Sequence, residues 1–453
     1  MIFEKFMASP AECTVALLGF GRSNRAVADW LQLHGATASV YADTPIPEVL
    51  RAHYGARGFR FNDAALPSTL TEQVLVRSPG MRPDHPFILG ALSRGACLTS
   101  EVELLLALTP ATVLGVTGSD GKTTTASLTA ALLQAAGHRT WLGGNNGTPL
   151  LPAVADMTKD DLMVLELSSF QLCTLQRPLA HAVITNVTEN HLNWHSDMAE
   201  YVAAKCRIFG PQTRLVLNAA NVITAEIAAA RMGNTCLFAR EPLLGAESCV
   251  FPLGESVVLK SLTKERRFDC LSAFSLVGTH NLENLLAAVG LAAPYLSDDA
   301  PRAALADFKG VAHRLQYVDT VRGVAYYNSS IDTSPSRTAA ALSALGKHPV
   351  VILGGRAKGV PFTPLTEVLR RCAKAVCLYG EAAGEIAKVL PQGLPFAIEE
   401  CFDRAFLSAA AFAAAGDTVL LSPACTAFGE FLDFEARGKR FCELVTELKS
   451  ERI

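Results

Sequence analysis

The chain has 453 residues, of which 50% are hydrophobic and 18% are charged, so it is globular and large enough for several domains. Its net charge of −3 lacks the basic excess of a dedicated nucleic-acid binder. Twelve cysteines without a CxxC pair argue against a zinc ribbon and are typical of a reducing cytosol, so we expect a cytoplasmic protein. The start lacks a signal-peptide pattern, and the apolar stretch 405–421 is broken by Gly416 and Asp417, which predicts a buried helix before a strand and no membrane insertion.

Residues 13–44 predict a first βα unit, the mononucleotide-binding half of a doubly wound sheet. The apolar strand "VALLG" leads into the turn Gly19-Phe20-Gly21, a helical pattern and a second strand, "ASVYADT". The turn lacks the third glycine of a dinucleotide fingerprint, so a ligand-binding turn and a plain tight turn are equally open. The following loop, "RSPGMRPDHP", carries Arg77 and Arg82, which either receive an anion or are solvated side chains of a strand-ending turn.

Residues 109–309 predict a second α/β unit, in which a strand, a glycine-rich turn and a helix start make up the stretch "GVTGSDGKTTT". Glycines let backbone N–H groups approach an anion, and the helix N-terminus adds partial positive charge. Lys122 supplies a full charge for the outer phosphates, and Thr123 offers a hydroxyl to Mg²⁺. The strict phosphate-loop spacing would require glycine at Val116. We therefore interpret the stretch as a variant phosphate-binding loop, with a turn that binds no phosphate as the alternative.

Polar side chains follow two later strands of this unit. Glu166 ends "MVLELSS", and His191 lies in "NVTENHLNWH", both at the carboxyl ends of apolar strands, where ligand sites of α/β proteins form. Each residue alone would suit a salt bridge or a buried histidine, but together, downstream of a phosphate loop, they indicate a Mg²⁺ site. Further along, 246–276 predicts a small antiparallel ribbon and 278–293 a helix.

Three apolar strands, "HPVVILGG", "AKAVCLYG" and "DTVLLSPA", alternate with helical stretches and predict a third α/β unit. The sequence therefore predicts an α/β protein of three domains. They are an N-terminal Rossmann-like domain (1–108), a central P-loop ATPase-like domain (109–309) and a C-terminal Rossmann-like domain (310–453).

Seven stretches of the chain occur in an order that is characteristic of one family: "TGSDGKTTT", "ELSSFQL", "NVTENHLNWH", "GTHNLENLLAA", "AHRLQYV", "LGGRAKG" and "LLSPACTAFGEFLDFEARGKRF". The chain resembles the Mur ligases, ATP-dependent amide ligases of peptidoglycan precursor synthesis, and within them the branch that adds D-glutamate. The resemblance covers nearly the whole chain. It implies ATP and Mg²⁺ as cofactors, UDP-N-acetylmuramoyl-L-alanine and D-glutamate as substrates and an acyl-phosphate intermediate. We expect a monomer without a nucleic-acid partner.

The resemblance also implies roles for single residues, with the UDP end of the substrate in the first domain, ATP in the second and the amino acid in the third. The expected ATP-binding residues are Gly118, Ser119, Asp120, Gly121, Lys122, Thr123, Thr124, Asn281, Asn284, Arg314 and Ser329. The expected metal ligands are Thr123, Glu166, His191 and Lys205. The expected substrate-binding residues are Ser23, Asn24, Asp43, Thr44, Ser78, Pro79, Gly80, Asn145, Lys358, Thr426 and Phe434. Catalysis is assigned to Lys122, His191 and Lys205. The family implies that Lys205 is a carbamate, since an ammonium cannot ligate a cation and an anionic carbamate can.

Four positions depart from the family's usual residues: Ser329 replaces an aspartate, Ala427 a serine, Gly429 an aspartate and Asn190 an aspartate. Ser329 is expected to make a weaker ribose contact. The departures leave two alternatives, another Mur-type or folylpolyglutamate-type amide ligase and a nucleotide-binding homologue without catalysis. The N-terminal βα unit disfavours the folylpolyglutamate synthases, which begin with the ATPase domain. A homologue without catalysis is disfavoured because the expected catalytic and metal-binding residues are all present: Lys122, Glu166, His191 and Lys205.

Overall fold

The computed structural model describes residues 2–63, 66–145, 147–231, 233–276, 278–308 and 310–450. They form an α/β fold with three mainly parallel sheets, which confirms the predicted fold class. The chain divides into two compact units, 1–275 with 279–308, and 276–278 with 309–453. The first unit contains two of the sheets and the second contains one. The predicted domain boundaries stay predictions, and Lys309, the predicted end of the central domain, lies outside the described residues.

The N-terminal sheet has five parallel strands. They are β1 (Val15–Leu18), β2 (Ser39–Tyr41), β3 (Arg60–Asn62), β4 (Val74–Arg77) and β5 (Cys97–Thr99). Its helices are α1 (Ile2–Ala8), α2 (Arg22–Leu33), α3 (Glu48–Gly55), α4 (Pro86–Ser93) and α5 (Glu101–Leu108). The strand order is β3-β2-β1-β4-β5. The direction of winding reverses between β1 and β4, so a crevice opens beyond the carboxyl ends of these two strands.

The central sheet has nine strands. They are β6 (Thr112–Thr117), β7 (Thr140–Gly144), β8 (Leu162–Glu166), β9 (His181–Ile184), β10 (Arg214–Asn218), β11 (Thr235–Phe238), β12 (Ser248–Leu253), β13 (Ser256–Ser261) and β14 (Glu265–Asp269). Its helices are α6 (Lys122–Ala135), α7 (Ser169–Leu172), α8 (Met198–Cys206), α9 (Val222–Ala229), α10 (Thr279–Ala292) and α11 (Ala300–Asp307). The order is β14-β13-β12-β11-β10-β9-β6-β8-β7. Strands β12 to β14 are antiparallel to one another, which confirms the predicted ribbon, and α10 confirms the predicted helix.

A continuous apolar core joins the two sheets of the first unit. Helices α2 and α5 of the N-terminal part contact the short 3-10 helix Leu151–Asp156 of the central part. Trp30 of α2, Leu105 of α5 and Leu151 of the 3-10 helix belong to one buried cluster. Burying these apolar side chains together stabilises the arrangement of the two sheets within the unit.

The second unit has one sheet of six strands. They are β15 (Gln316–Val321), β16 (Val324–Asn328), β17 (Val350–Gly354), β18 (Ala375–Tyr379), β19 (Phe396–Glu399) and β20 (Thr418–Leu421). Its helices are α12 (Pro335–Leu345), α13 (Pro364–Cys372), α14 (Ala383–Ala387), α15 (Phe402–Phe412) and α16 (Phe434–Lys449). The order is β15-β16-β20-β17-β18-β19, and only β15 runs antiparallel to its neighbour. Helix α15 followed by β20 confirms the interpretation of 405–421, and within the described ranges no helix combines the length and apolarity that a membrane span requires.

Candidate active site

The turn between β6 and α6 requires glycine at two positions. Gly118 and Gly121 have φ angles of +152° and +77°, which residues with a side chain rarely adopt. A Cβ at Gly118 would lie 1.9 Å from Oγ1 of Thr185, and a Cβ at Gly121 would lie 2.2 Å from Oδ1 of Asn284. The close approach of these two polar side chains therefore fixes the shape of the turn, with its N–H groups at the start of α6.

Polar residues after β9 hold the turn in place. The amide of Ser119 donates to the carbonyl of Asn186 at 2.9 Å, and the amide of Asp120 donates to Oδ1 of Asn186 at 3.0 Å. Thr185 Oγ1 donates to the carbonyl of Asp120 at 2.6 Å, and the hydroxyls of Ser119 and Tyr201 are 3.0 Å apart. Thr185, Asn186 and Tyr201 were not predicted from the sequence. The signal available for the first two was their position directly after an apolar strand.

Two lysine side chains converge on the carbonyl of Gly118. Nζ of Lys122 donates to the carbonyls of Gly118 at 3.0 Å and Ser119 at 2.8 Å. Nζ of Lys205, on α8, donates to the same Gly118 carbonyl at 2.6 Å and is 1% exposed. Burial, and then repulsion by Lys122, lower the pKa of Lys205 to about 6. At neutral pH the Lys205 side chain is therefore mainly an uncharged amine.

Glu166 ends β8 beside the strand that leads into the turn, since it pairs in register with Val116 of β6. Its side chain is buried, and its Oε1 accepts a hydrogen bond of 2.9 Å from Nδ2 of Asn145. Its Oε2 is also buried and has no hydrogen-bond partner among the residues that the structure describes. A buried, unpaired carboxylate oxygen costs free energy unless a donor or a cation reaches it. Glu166 therefore suits the metal-ligand role that the sequence predicted.

His191 lies on the loop after β9 with a φ of +57°, an uncommon value for a residue other than glycine. Its ring is 4.8 Å from the ring of Phe170 and 6.4 Å from the ring of Tyr201, whose hydroxyl reaches the glycine-rich turn. Across the described ranges, no three or more histidine, cysteine, aspartate or glutamate side chains form a group that could hold a metal ion. Glu166 and His191 therefore form at most part of a ligand set.

A cavity of about 160 Å³ opens beside the glycine-rich turn. Asp120 of the turn, Asn186, Phe238 at the end of β11 and Asn284 of α10 line it. Nδ2 of Asn284 is 3.4 Å from Oδ1 of Asn281. The two asparagines that were predicted to bind the nucleotide therefore lie together, one of them between the turn and this cavity.

Asn24 joins the first turn of the N-terminal sheet to β4. Its buried Nδ2 donates to the carbonyls of Leu18 at 3.0 Å, Gly19 at 2.8 Å and Val76 at 3.2 Å. Gly19 has a φ of +82°, and a Cβ there would lie 2.6 Å from Oγ of Ser78. The tight-turn reading of Gly19 thus has a steric reason, and a substrate contact by Asn24 or Ser78 stays a prediction.

The other residues predicted to bind the UDP end lie at the same edge of the sheet. Asp43 and Thr44 are exposed after β2, and Ser23 is in the first turn of α2. Pro79 and Gly80 follow β4. Because the carboxyl ends of parallel strands meet at one edge, these groups surround the crevice between β1 and β4.

The structure corrects both interpretations of the arginines in "RSPGMRPDHP". The Arg77 side chain is buried, and its terminal nitrogens donate to protein carbonyls, so it is neither solvated nor available to an anion. Arg82 is half-buried and paired with Asp84 and Glu200. Sequence periodicity gave no indication of these partners, because one of them lies more than a hundred positions away in the chain.

In the second unit, Arg314 is exposed and Ser329 is buried. The Ser329 hydroxyl accepts from the amide of Leu315 at 3.1 Å and hydrogen-bonds to the Asp332 carboxyl. Burial raises the pKa of Asp332 to about 6, and its Oδ2 accepts from Oγ of Ser422 at 2.8 Å. The residue that stands in for the family's aspartate therefore already has two partners, and its predicted ribose contact stays a prediction.

The predicted amino-acid-binding residues also lie at the carboxyl edge of this sheet. Lys358 is exposed, and its Nζ donates to Oγ1 of Thr333 at 3.0 Å. Thr426 follows β20, and Phe434 begins α16. Arg437 was not predicted from the sequence; it is fully buried and donates to five acceptors. It holds the ends of several strands together beside these residues.

Comparison with known proteins identifies the family. Residues 116–292 match the family model of the Mur ligase middle domain, and residues 313–425 match that of the Mur ligase, glutamate ligase domain. The UDP-N-acetylmuramoylalanine–D-glutamate ligase of Ruminiclostridium cellulolyticum is 37% identical over 464 residues, which cover 98% of this chain and 99% of that protein. The ligase of the same name from Acetivibrio thermocellus is 37% identical and covers 96% of this chain and 97% of its own.

A solved structure shares the fold. The UDP-N-acetylmuramate-alanine ligase of Thermotoga maritima superposes with a TM-score of 0.57 at 17% identity, and the match covers 96% of this chain and 99% of that one. The relatives at 37% identity match nearly the whole chain. The chain therefore belongs to the Mur ligases, a family of ATP-dependent amide ligases.

Proposed function

We propose that this protein adds D-glutamate to UDP-N-acetylmuramoyl-L-alanine at the expense of ATP. The names of its relatives support the choice of substrates. The observation that carries the reaction type is the convergence of Lys122 and Lys205 on the Gly118 carbonyl, at the same sheet edge as the half-paired carboxylate of Glu166. Such a site offers backbone donors, positive charge and a metal-ligating oxygen to a triphosphate.

The chemistry needs positioning and charge neutralisation more than a nucleophilic side chain. The alanine carboxylate is a poor electrophile, so it first takes the γ-phosphoryl group of ATP and releases ADP. The amine of D-glutamate then attacks the acyl phosphate, and the tetrahedral intermediate collapses to the amide, phosphate and a proton. Lys122 balances the phosphate charge, and binding both reactants beside each other supplies much of the rate.

Mg²⁺ would be held by Thr123, Glu166, His191 and Lys205. When bound, it neutralises charge on the phosphates. The unpaired Oε2 of Glu166 fits this assignment. Lys205 fits it in one form only. Because its pKa is about 6, its amine is mainly neutral at pH 7 and can bond to the carbon of CO₂ and lose a proton. The resulting carbamate presents anionic oxygens, the ligands that Mg²⁺ prefers.

The substrate ends fall at the two remaining strand edges. The UDP end would occupy the crevice between β1 and β4, near Ser23, Asp43 and the loop 78–80. The D-glutamate carboxylate would pair with the exposed ammonium of Lys358, because charge-assisted hydrogen bonds are the strong ones. Arg314 would reach the nucleotide. We also propose that the protein acts as a cytoplasmic monomer.

Phosphate release from ATP tests the proposal. We expect release only when ATP, UDP-N-acetylmuramoyl-L-alanine and D-glutamate are all present. Lys122→Ala should abolish it while leaving the binding of the UDP substrate intact, and Lys260→Ala, at an exposed position on β13, should leave it unchanged. Release that L-glutamate and a folate support equally would reject the proposed substrates. If Lys122→Ala instead leaves the physiological function of the protein intact, the result favours a homologue that binds nucleotide and catalyses no reaction.

A further inference from the structure

Arg77 connects the first sheet to the helix that follows Glu166. Its side chain is 1% exposed at the end of β4. Nη1 donates to three carbonyls of the loop 78–81, at 2.6 to 3.2 Å, so the loop curls around the guanidinium. Nη2 donates to the carbonyl of Phe170 in α7 at 2.6 Å. One buried cation therefore fixes the loop of the N-terminal sheet to the central sheet, and charge-assisted bonds of this kind are strong where water is excluded.

Arg82 makes a second connection, to the loop after β9. Its Nη1 donates to the carbonyl of Trp194, and its guanidinium carbon lies 5.0 Å from the centre of the Trp194 ring. Its Nη2 is 3.3 Å from Oε1 of Glu200 and 2.8 Å from Oδ2 of Asp84. In the other direction, Nε1 of Trp194 donates to the carbonyl of Gly80 at 2.9 Å. The two segments thus exchange hydrogen bonds in both directions, with a cation over an aromatic face between them.

The segment that Arg82 contacts also carries His191. The amide of Trp194 donates to the carbonyl of His191 at 2.9 Å, so the two residues share one turn. The ring of Phe170 packs against both of their rings, with centroids 4.8 Å from His191 and 4.7 Å from Trp194. Glu200 accepts the amide of Ser196 at 2.7 Å, which closes the same loop. The backbone of His191, with its positive φ, persists only where such surroundings hold it.

We propose that Arg77 and Arg82, which flank the loop 78–80 and together are called the strap, are positioning residues that couple this loop to the position of His191. The inference rests on the proposed function, which places the UDP substrate at that loop and the metal at His191. A diphosphate that contacts the loop shifts the position of Gly80, whose carbonyl accepts a hydrogen bond from Nε1 of Trp194. Arg82 holds the backbone carbonyl of the same tryptophan. A shift at the loop is therefore transmitted to His191 through Arg82 and Trp194.

The coupling is measured in the full-length protein as a ratio of two affinities. Mg·ADP is titrated calorimetrically with and without saturating UDP-N-acetylmuramoyl-L-alanine, so that no turnover occurs. In the wild type we expect the UDP substrate to tighten Mg·ADP by roughly fivefold or more, and Mg·ADP to tighten the UDP substrate by the same factor, because coupling is reciprocal. In Arg82→Ala the ratio should fall to about one, while the UDP substrate alone binds within roughly threefold of its wild-type affinity.

Two further variants separate the contacts of the strap. Trp194→Phe keeps the ring but loses the bond to Gly80, and we expect an intermediate ratio. Arg82→Lys keeps a charge near Glu200 but not the fork of donors, and should restore part of the ratio. Arg266→Ala is the matched control. The Arg266 side chain is 21% exposed, pairs with Asp298 at 2.8 Å and donates to two carbonyls, all within the central part of the chain.

The outcomes distinguish the strap from the proposed function. If the wild type binds both ligands and Arg82→Ala keeps the full ratio, the strap is wrong and the proposed function stands. The proposed role of the strap is also wrong if the two ligands bind the wild type independently. It is wrong as well if Arg266→Ala lowers the affinity ratio as much as Arg82→Ala does. If the wild type binds neither Mg·ADP nor the UDP substrate, the proposed function itself fails.

Discussion

Replacing Lys205 by methionine removes a buried amine whose charged form the fold disfavours. The Lys205 pKa falls from its usual value of 10.5 to about 6 in the folded protein, because of burial and then the nearby Lys122. Between these two values the unfolded chain binds a proton at this site and the folded chain does not. The penalty is complete below pH 6 and is relieved as the pH rises. The free energy of unfolding of the wild type therefore increases with pH across this window.

The size of the effect follows from proton linkage. One proton difference changes the free energy of unfolding by about 1.4 kcal/mol per pH unit. Between about pH 7 and pH 9 the wild type should therefore gain about 3 kcal/mol relative to Lys205→Met. Other titrating groups are common to both proteins and cancel in the difference. Methionine is unbranched and fills a similar volume without a charge, so it keeps most of the packing around the site.

Urea unfolding followed by tryptophan fluorescence measures this difference. Trp30, Trp141 and Trp194 all lie in the first unit, which also contains Lys205, so the signal reports on that unit. The buffers must be free of CO₂, because a carbamate would remove the amine from the titration. Lys260→Met, at an exposed position, should follow the wild type. Parallel pH dependences of the wild type and Lys205→Met would refute the reasoning.

Three further predictions follow from buried groups. Glu166→Gln should raise the Mg²⁺ concentration for half-maximal phosphate release roughly tenfold or more. Thermal unfolding should be unchanged, because the amide oxygen still accepts the hydrogen bond from Asn145, and an unchanged Mg²⁺ requirement would contradict the ligand assignment. Gly118→Ala should lower the free energy of unfolding by about 2 kcal/mol or more, measured by calorimetry, because its Cβ clashes with Thr185. A Cβ at Gly384 meets open space, so Gly384→Ala should cause no loss of stability, and equal losses in the two variants would exclude a steric cause. In the folded protein the pKa of Asp332 rises from 3.8 to about 6, so between these values the folded chain binds a proton that the unfolded chain does not. The free energy of unfolding of the wild type should therefore fall by about 3 kcal/mol as the pH rises from about 4 to 6. Asp332→Asn should lack this loss, and matching pH profiles of the two proteins by calorimetry would contradict the prediction.

Local sequence determined the glycine-rich turn, the strands and the antiparallel ribbon. Glycines at Gly118 and Gly121 are required by backbone φ angles and close contacts, and a strand before them with a helix after them is visible within one short stretch. Apolar runs marked the buried strands, and the polar residue at the end of such a run, as at Glu166, marked the carboxyl edge of the sheet, where ligand sites of α/β proteins form. These features depend on neighbours in the chain, so they can be predicted without knowing which distant segments meet.

Only the tertiary structure decided which distant side chains meet and how charged they are. The family resemblance implied a metal-ligand role for Lys205, but only the packing of α8 shows that its amine lies against the Gly118 carbonyl and away from water. From the sequence Arg77 was interpreted as a solvated or anion-binding residue, yet three carbonyls of the loop 78–81 and the carbonyl of Phe170 in α7 accept its hydrogen bonds. Strand order and the packing of helices on the sheets set these contacts. A pKa or a buried hydrogen bond depends on all atoms that surround a group, and most of those atoms come from elsewhere in the chain.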